Sequence, residues 1–263
     1  MKKGKNDLLN IMNTNNKEKS KKLFEDIINN IEIKIDTNDI DKEINKTILG
    51  LERDRKINEE NRKIIAYHEA GHAIMSFLLK DSILPTKICI SINSKSLGYT
   101  MYTQEDDDLL LKTSYRCLLR DILILYAGRS SERVFLNEIT CGAEDDLMKA
   151  RKILKRLLMN GMLFEEYNYI EYSDDNKKVP EFIEKYMQKI NKMIVNKVNN
   201  YLLENKIIVD ETAKLIIEKN SITGEDIKNI FTKNNLEDSI QKIDIIEVYD
   251  EIKLLCEKNE SEI

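Results

Sequence analysis

From Asn61 to about Lys80, the apolar residues Ile64, Ile65, Ala73, Ile74, Phe77 and Leu78 recur at helical spacing. The chain's only two histidines, His68 and His72, fall inside that stretch. Residues four apart on a helix stand one turn apart on the same face, so both imidazoles can grip a single ion. The segment His68-Glu69-Ala70-Gly71-His72 fits H-E-x-x-H. Glu69, beside the first histidine, is placed to take a proton from a water activated by that ion. Two histidines, one carboxylate and an open fourth position suit zinc, and they describe a catalytic rather than a structural site. The plainer reading, two solvated or core histidines, carries less weight because the chain spends both at this one spacing.

A third ligand is required, and no third histidine exists. A carboxylate or a cysteine must serve. Three places offer one. Cys141-Gly142-Ala143-Glu144-Asp145-Asp146 opens an amphipathic helical pattern, so its acids sit at a fixed helical end. Glu132 follows Gly128-Arg129-Ser130-Ser131. The acids at 105–108 read more simply as a solvated turn. Residue logic by itself leaves the first two unranked.

Around this centre the pattern is mainly α. Pro85 ends any helix. Lys87–Asn93 alternates with Ile88, Ile90 and Ile92 on one face, a strand signature. Leu97–Thr103 is its hairpin partner across a turn at Ser94-Lys95-Ser96. Helix is expected from a Thr113 cap to about Leu136. A second runs over Ala143–Met162, with Leu147, Ala150, Leu154, Leu157 and Leu158 on its apolar side. Tyr167–Pro180 is a polar loop. Glu181–Asn205 and Glu211–Lys219 are helical, Thr223 caps a helix to Phe231, and Leu236–Cys256 forms one more. Four domain segments follow: a basic tail (1–21), short helices and a connector (22–60), the catalytic domain (61–231) and an acidic helical extension (232–263).

Composition narrows the function classes. A net charge of −5 argues against a general nucleic-acid binder. Residues 1–22 carry seven lysines against two acids, and residues 232–263 carry four lysines against nine acids. Both ends read as solvated. The four cysteines form no C-x-x-C pair, which fits a reducing, intracellular setting. No run reaches the roughly 18 apolar residues of a membrane span, so direct membrane insertion is not expected.

Several motifs together resemble the peptidase domain of the FtsH-type (AAA) ATP-dependent zinc metalloprotease family. Ala66-Tyr67-His68-Glu69-Ala70-Gly71-His72-Ala73 is similar to its metal motif, and Leu97-Gly98-Tyr99-Thr100 to its L-G-Y-T strand. Ala127-Gly128-Arg129 with Ser131-Glu132 resembles the G-G-R-x-A-E start of its G-G-R-x-A-E-x-x-V-F helix. Thr140, Gly142-Ala143, Asp146-Leu147 and Ala150 fit T-T-G-A-x-N-D-L-x-x-A, and Glu211–Phe231 its closing helices. The resemblance covers about residues 36–231. It implies a helical zincin-type metalloprotease domain with a small β-hairpin or sheet near the active site. It implies Zn2+ held by His68, His72 and Asp146, with Glu69 as general base. Glu132 becomes a supporting residue, and Gly98, Tyr99 and Thr100 a strand that holds an extended substrate by edge pairing. Asp145 replaces the family's Asn, and Cys141 a Thr.

The family's ATPase module has no counterpart here, because none of the eight glycines forms G-x-x-x-x-G-K-[ST]. Residues 23–51 resemble a remnant of the ATPase lid. The expected activity is therefore zinc-dependent hydrolysis of unfolded or extended polypeptides, fed where needed by a separate AAA ATPase. The resemblance also implies a hexameric homo-oligomer, and a cytoplasmic location with membrane association only through a partner. The competing expectation is a catalytically retired or accessory subunit bound to a separate FtsH-like enzyme.

Overall fold

The computed structural model describes residues 57–90, 98–102, 113–163 and 180–257. All lie in one compact unit, Leu51–Ile263. The readings placed on residues 1–56, the 94–96 turn, the acids at 105–108, the polar loop up to 179 and the last six residues lie outside the described residues. The architecture is mainly α, with one three-stranded antiparallel sheet.

Helix α1 (Glu59–Leu78) is the centre of the molecule. Asn58 caps it, its side chain accepting from the Asn61 amide at 2.8 Å, and Glu59 and Glu60 oppose the positive end of the helix dipole. From Ile65 to Leu78 every residue except His68 is buried. A helix buried all round needs close neighbours. Gly71 supplies one, since a Cβ there would stand 2.4 Å from the Ala127 carbonyl oxygen of the facing helix.

The sheet orders its strands β2-β1-β3. β1 (Pro85–Ile90) lies between β2 (Gly98–Tyr102) and β3 (Ser221–Thr223), so β2 has one unpaired edge among the described residues. Ile88 pairs with both Thr100 and Ile222. Ile88 and Ile222 are buried, so their face of the sheet lies on the core. β3 is three residues long, too short to show alternation in a sequence.

Helix α2 (Tyr115–Ser131) starts one residue later than the Thr113 cap implies, because Ser114 is the cap and accepts from the Cys117 amide. It does not continue as α-helix to Leu136. Glu132–Leu136 is a π-turn, ended by Asn137 in the left-handed conformation. Asn tolerates that backbone better than most residues. Cys141–Ala143 form a 3₁₀ turn leading into α3 (Glu144–Met159), which buries Ala150, Leu154, Leu157 and Leu158 and half-buries Leu147. Helix α4 (Glu181–Glu204) is followed almost at once by α5 (Lys206–Lys219). The earlier start of α5 reflects packing: Ile208 and Val209 are weak helix formers, but both are fully buried. Thr223 caps α6 (Gly224–Lys233) through a reciprocal capping box with Asp226.

The C-terminal stretch is not the single helix expected over Leu236–Cys256. A 3₁₀ turn (Glu237–Ser239) leads into an extended segment, and α7 spans only Ile245–Glu257. The break satisfies α1. The Gln241 amide donates to the Phe77 carbonyl at 2.7 Å and the Ile243 amide to that of Leu78 at 2.9 Å, while the Lys80 amide donates back to Ile243. Helix ends leave such carbonyls without intrahelical partners. The apolar stripe of α7, with Ile245, Val248, Ile252 and Cys256, is buried against its own domain, and Tyr249 packs against Tyr115 with ring centroids 4.4 Å apart and the rings tilted by 37°. Ile252→Ala is expected to cost about 2–5 kcal/mol, measured by urea unfolding. Hydrogen exchange should quicken at the C-terminal turn of α1.

Candidate metal centre

Helix α1 presents His68 and His72 one turn apart, and α3 brings Asp146 to them from its first turn. Asp146 Oδ2 lies 3.2 Å from His68 Nε2 and 3.1 Å from His72 Nε2, and the two Nε2 atoms are 2.9 Å apart. The opposite ring nitrogens fix which atoms face inward. His68 Nδ1 contacts Glu132 Oε1 at 2.6 Å, and His72 Nδ1 contacts the Ile124 carbonyl at 2.7 Å. A carbonyl oxygen only accepts, so His72 carries its proton on Nδ1 and turns the Nε2 lone pair toward Asp146. Glu132 imposes the same tautomer on His68.

Three acceptors therefore converge with no donor among them. Such a cluster repels itself unless a cation or a proton joins it. The electrostatics agree. Burial opposes the charged form of His68, but its bonds to Asp146 and Glu132 prevail and push its pKa up to about 10. Burial also acts to raise Asp146, yet the two histidines hold it well below the usual carboxylate range. His68, His72 and Asp146 can each offer one donor atom, all within 4.8 Å of one another. Two imidazoles and a carboxylate are a donor set that fits zinc.

The second candidate ligand, Glu132, is not in this cluster. It stands behind His68, buried, where its other oxygen accepts from the Thr140 amide at 3.0 Å. Burial would raise its pKa, but His68 and Thr140 lower it below the ordinary carboxylate value. The π-turn that begins at Glu132 inserts an extra residue and shifts the side chains out of α-helical phase, a feature often found at functional sites. The Thr140–Glu132 bond ties this turn to the entry of α3, two turns of chain before Asp146.

Glu69 is buried beside the cluster, at 6% exposure. Burial raises its pKa, partly offset by His72, His68 and a hydrogen bond from Thr100. Thr100 Oγ1 donates to Glu69 Oε2 at 2.8 Å. The residues expected to lie near substrate, Gly98, Tyr99 and Thr100, form the start of β2, one of the two edge strands of the sheet among the described residues.

Residue reasoning missed three contributors. One is the Ile124 carbonyl, a backbone group that leaves no mark on sequence. Another is the Thr140 amide. The last is Gly128 on α2, where a Cβ would stand 2.5 Å from His72 Nε2 and 2.7 Å from His68 Nε2. Two adjacent helices can bring imidazoles this close to a backbone only at glycine. The Gly128-Arg129 pair was the available signal.

The arrangement is that of a helix-borne H-E-x-x-H motif completed by a carboxylate from a second helix. The model of Peptidase family M41 matches residues 55–230, and the chain belongs to that family. The chain is 40% identical over 126 residues to the ATP-dependent zinc metalloprotease FtsH of Sulfurovum sp. (strain NBC37-1), covering 47% of this chain and 19% of the relative. It is 30% identical over 146 residues to the ATP-dependent zinc metalloprotease FtsH 2 of Salinibacter ruber (strain M8), covering 55% and 21%. With the FtsH of Marinobacter nauticus it is 38% identical over 114 residues, 43% and 18% of the two chains. The matches thus span about a fifth of the length of these relatives.

Proposed function

We propose that the chain is a zinc-dependent metalloendopeptidase that hydrolyses unfolded or extended polypeptides. His68, His72 and Asp146 hold the metal, Glu69 is the general base, and Glu132 orients His68. The observation that carries this reading is the convergence of three lone-pair donors beside a buried glutamate. The zinc naming of the FtsH relatives supports the choice of ion.

When bound, zinc supplies Lewis acidity, polarising the scissile carbonyl and lowering the pKa of water. The chain's own residues do the rest. Glu69, with its pKa raised by burial, takes the proton of the attacking water and returns it to the leaving amine. Its position beside the histidines, out of bulk water, strengthens that exchange. Gly98, Tyr99 and Thr100 lie on β2, an edge strand among the described residues, which could hold an extended peptide read by main-chain pairing more than by side chains. Nothing in this cluster uses a nucleotide, so ATP hydrolysis would serve delivery of folded substrates and not the cleavage step. No helix among the described residues is long and apolar enough to cross a membrane.

The test is cleavage of casein without ATP, with and without a chelator, by the natural chain and by Asp146→Ala. Cleavage is expected from the natural chain, lost with chelator and restored by added zinc. Asp146→Ala should fold but fail to retain stoichiometric zinc. Full zinc occupancy in that variant would remove Asp146 from the ligand set. Stoichiometric zinc without cleavage in the natural chain would replace the proposal with an accessory subunit.

A further inference from the structure

We propose that Thr100 is the positioning residue of Glu69, so that one strand both offers its edge to substrate and aims the general base. The inference rests on the reading of Glu69 as that base.

The geometry comes from strand register. In β2, Gly98 pairs with Ile90 and Thr100 with Ile88. Ile88 and Ile90 are buried, and alternate residues of a strand share a face. Gly98 and Thr100 therefore face α1 together, while Tyr99 faces the other way. On that face they meet the two oxygens of Glu69 separately. Thr100 Oγ1 donates to Oε2 at 2.8 Å. At Gly98 an added Cβ would stand 2.8 Å from Oε1, 3.1 Å from Cγ and 2.7 Å from Ile65 Cγ2. The strand backbone thus walls one side of the carboxylate, and the hydroxyl holds the other.

The hydrogen bond matters because Glu69 has so few polar partners among the described residues. A carboxylate offers about four acceptor sites. Among the described residues Thr100 is the only hydrogen-bond donor recorded for Glu69, although the side chain is 94% removed from solvent. Without that hydroxyl, packing alone would fix the carboxylate's rotation about its last bond, a broad and weakly restrained torsion. Reaction rate depends steeply on such placement, since a 1 Å misplacement can cost about 100-fold. The strand's other functional group, its backbone edge away from β1, lies in the sheet plane, whereas side chains leave the sheet by its faces. A peptide pairing with that edge and the base that attacks it are therefore referenced to the same rigid strand. A slip of one residue in β2 would turn Thr100 away from Glu69 and Tyr99 toward it.

Thr100→Val tests this, since it removes the hydroxyl, keeps the shape and suits a strand. The zinc-loaded variant should stay folded and match the natural chain in zinc affinity. Its kcat on casein should fall by about 10–100-fold with KM little changed, and Thr100→Ser should restore kcat to near the natural value. An unchanged kcat, a loss confined to KM, or a Thr100→Ser variant as slow as Thr100→Val would overturn the inference. A crystal structure of Thr100→Val gives a reading that does not depend on turnover. If the natural chain cleaves nothing, the proposed function fails by itself. In that event a rotated or disordered Glu69 carboxylate in the variant still supports the positioning role, and an unmoved carboxylate ends it.

Discussion

Glu69→Gln is expected to keep its zinc and to lose cleavage, with kcat falling by roughly 1,000-fold, within the range for removal of a positioned acid–base group. That is about 4 kcal/mol of barrier. Glutamine has nearly the same shape, and its amide oxygen can still accept from Thr100 Oγ1, which now donates to Oε2. The side chain therefore stays in place, but an amide cannot take the proton of an attacking water. The three candidate metal donors, His68, His72 and Asp146, are untouched. Stability should hold or rise, because a carboxylate buried to 6% exposure is costly to ionise and a neutral amide carries no such charge. The measurements are zinc per chain, thermal melting and initial rates on casein. Retained zinc and retained melting with lost cleavage separate chemistry from architecture. Cleavage at the natural rate would take Glu69 out of the reaction.

The parts of the fold visible in the sequence are those with a local cause. The helical repeat around His68 and His72, the alternation at Ile88 and Ile90, and the Thr223 cap are each set by residues within a few positions of one another. Asp146 was a different case. From residue types it ranked level with Glu132, and only the resemblance of Asp146-Leu147 to a family motif separated them. The physical distinction is the side of the His68 ring each acid reaches, Nε2 for Asp146 and Nδ1 for Glu132, and that depends on a π-turn and a helix crossing. Neither has a local sequence pattern. The C-terminal segment shows the same limit. Leu236–Cys256 has enough apolar residues to read as a helix. Its break at 240–244 is set by the orphan carbonyls of Phe77 and Leu78, more than 160 residues away in the chain. β3 is too short to alternate, and it is a strand because Ile88 is there to pair with Ile222.

Gly128 is where the fold and the site constrain each other most tightly, and Gly128→Ala is expected to damage both. Gly128 lies within α2 with an ordinary helical backbone, so its role is space and not conformational freedom. An added Cβ would stand 2.5 Å from His72 Nε2 and 2.7 Å from His68 Cε1 and Nε2, closer than carbon contacts allow. The rings cannot tilt away cheaply, because Glu132 holds His68 by Nδ1 and the Ile124 carbonyl holds His72 by Nδ1. Nor can α1 and α2 approach differently at the same crossing, where Gly71 already abuts the Ala127 carbonyl. The strain must appear as displaced ligands, separated helices or both. Zinc affinity should fall by about 10–100-fold, as when a ligand's supporting contacts are lost. The overpacked crossing should cost about 1–3 kcal/mol in urea unfolding of the zinc-free protein. Gly142→Ala is the comparison, since among the described residues its Cβ would meet only Thr140 Oγ1, at 3.2 Å, near the same site. That variant should stay within about 0.5 kcal/mol of the natural chain and bind zinc normally. If Gly128→Ala matched it in both measurements, the close approach of α2 to the imidazoles would not be what holds the metal donors together.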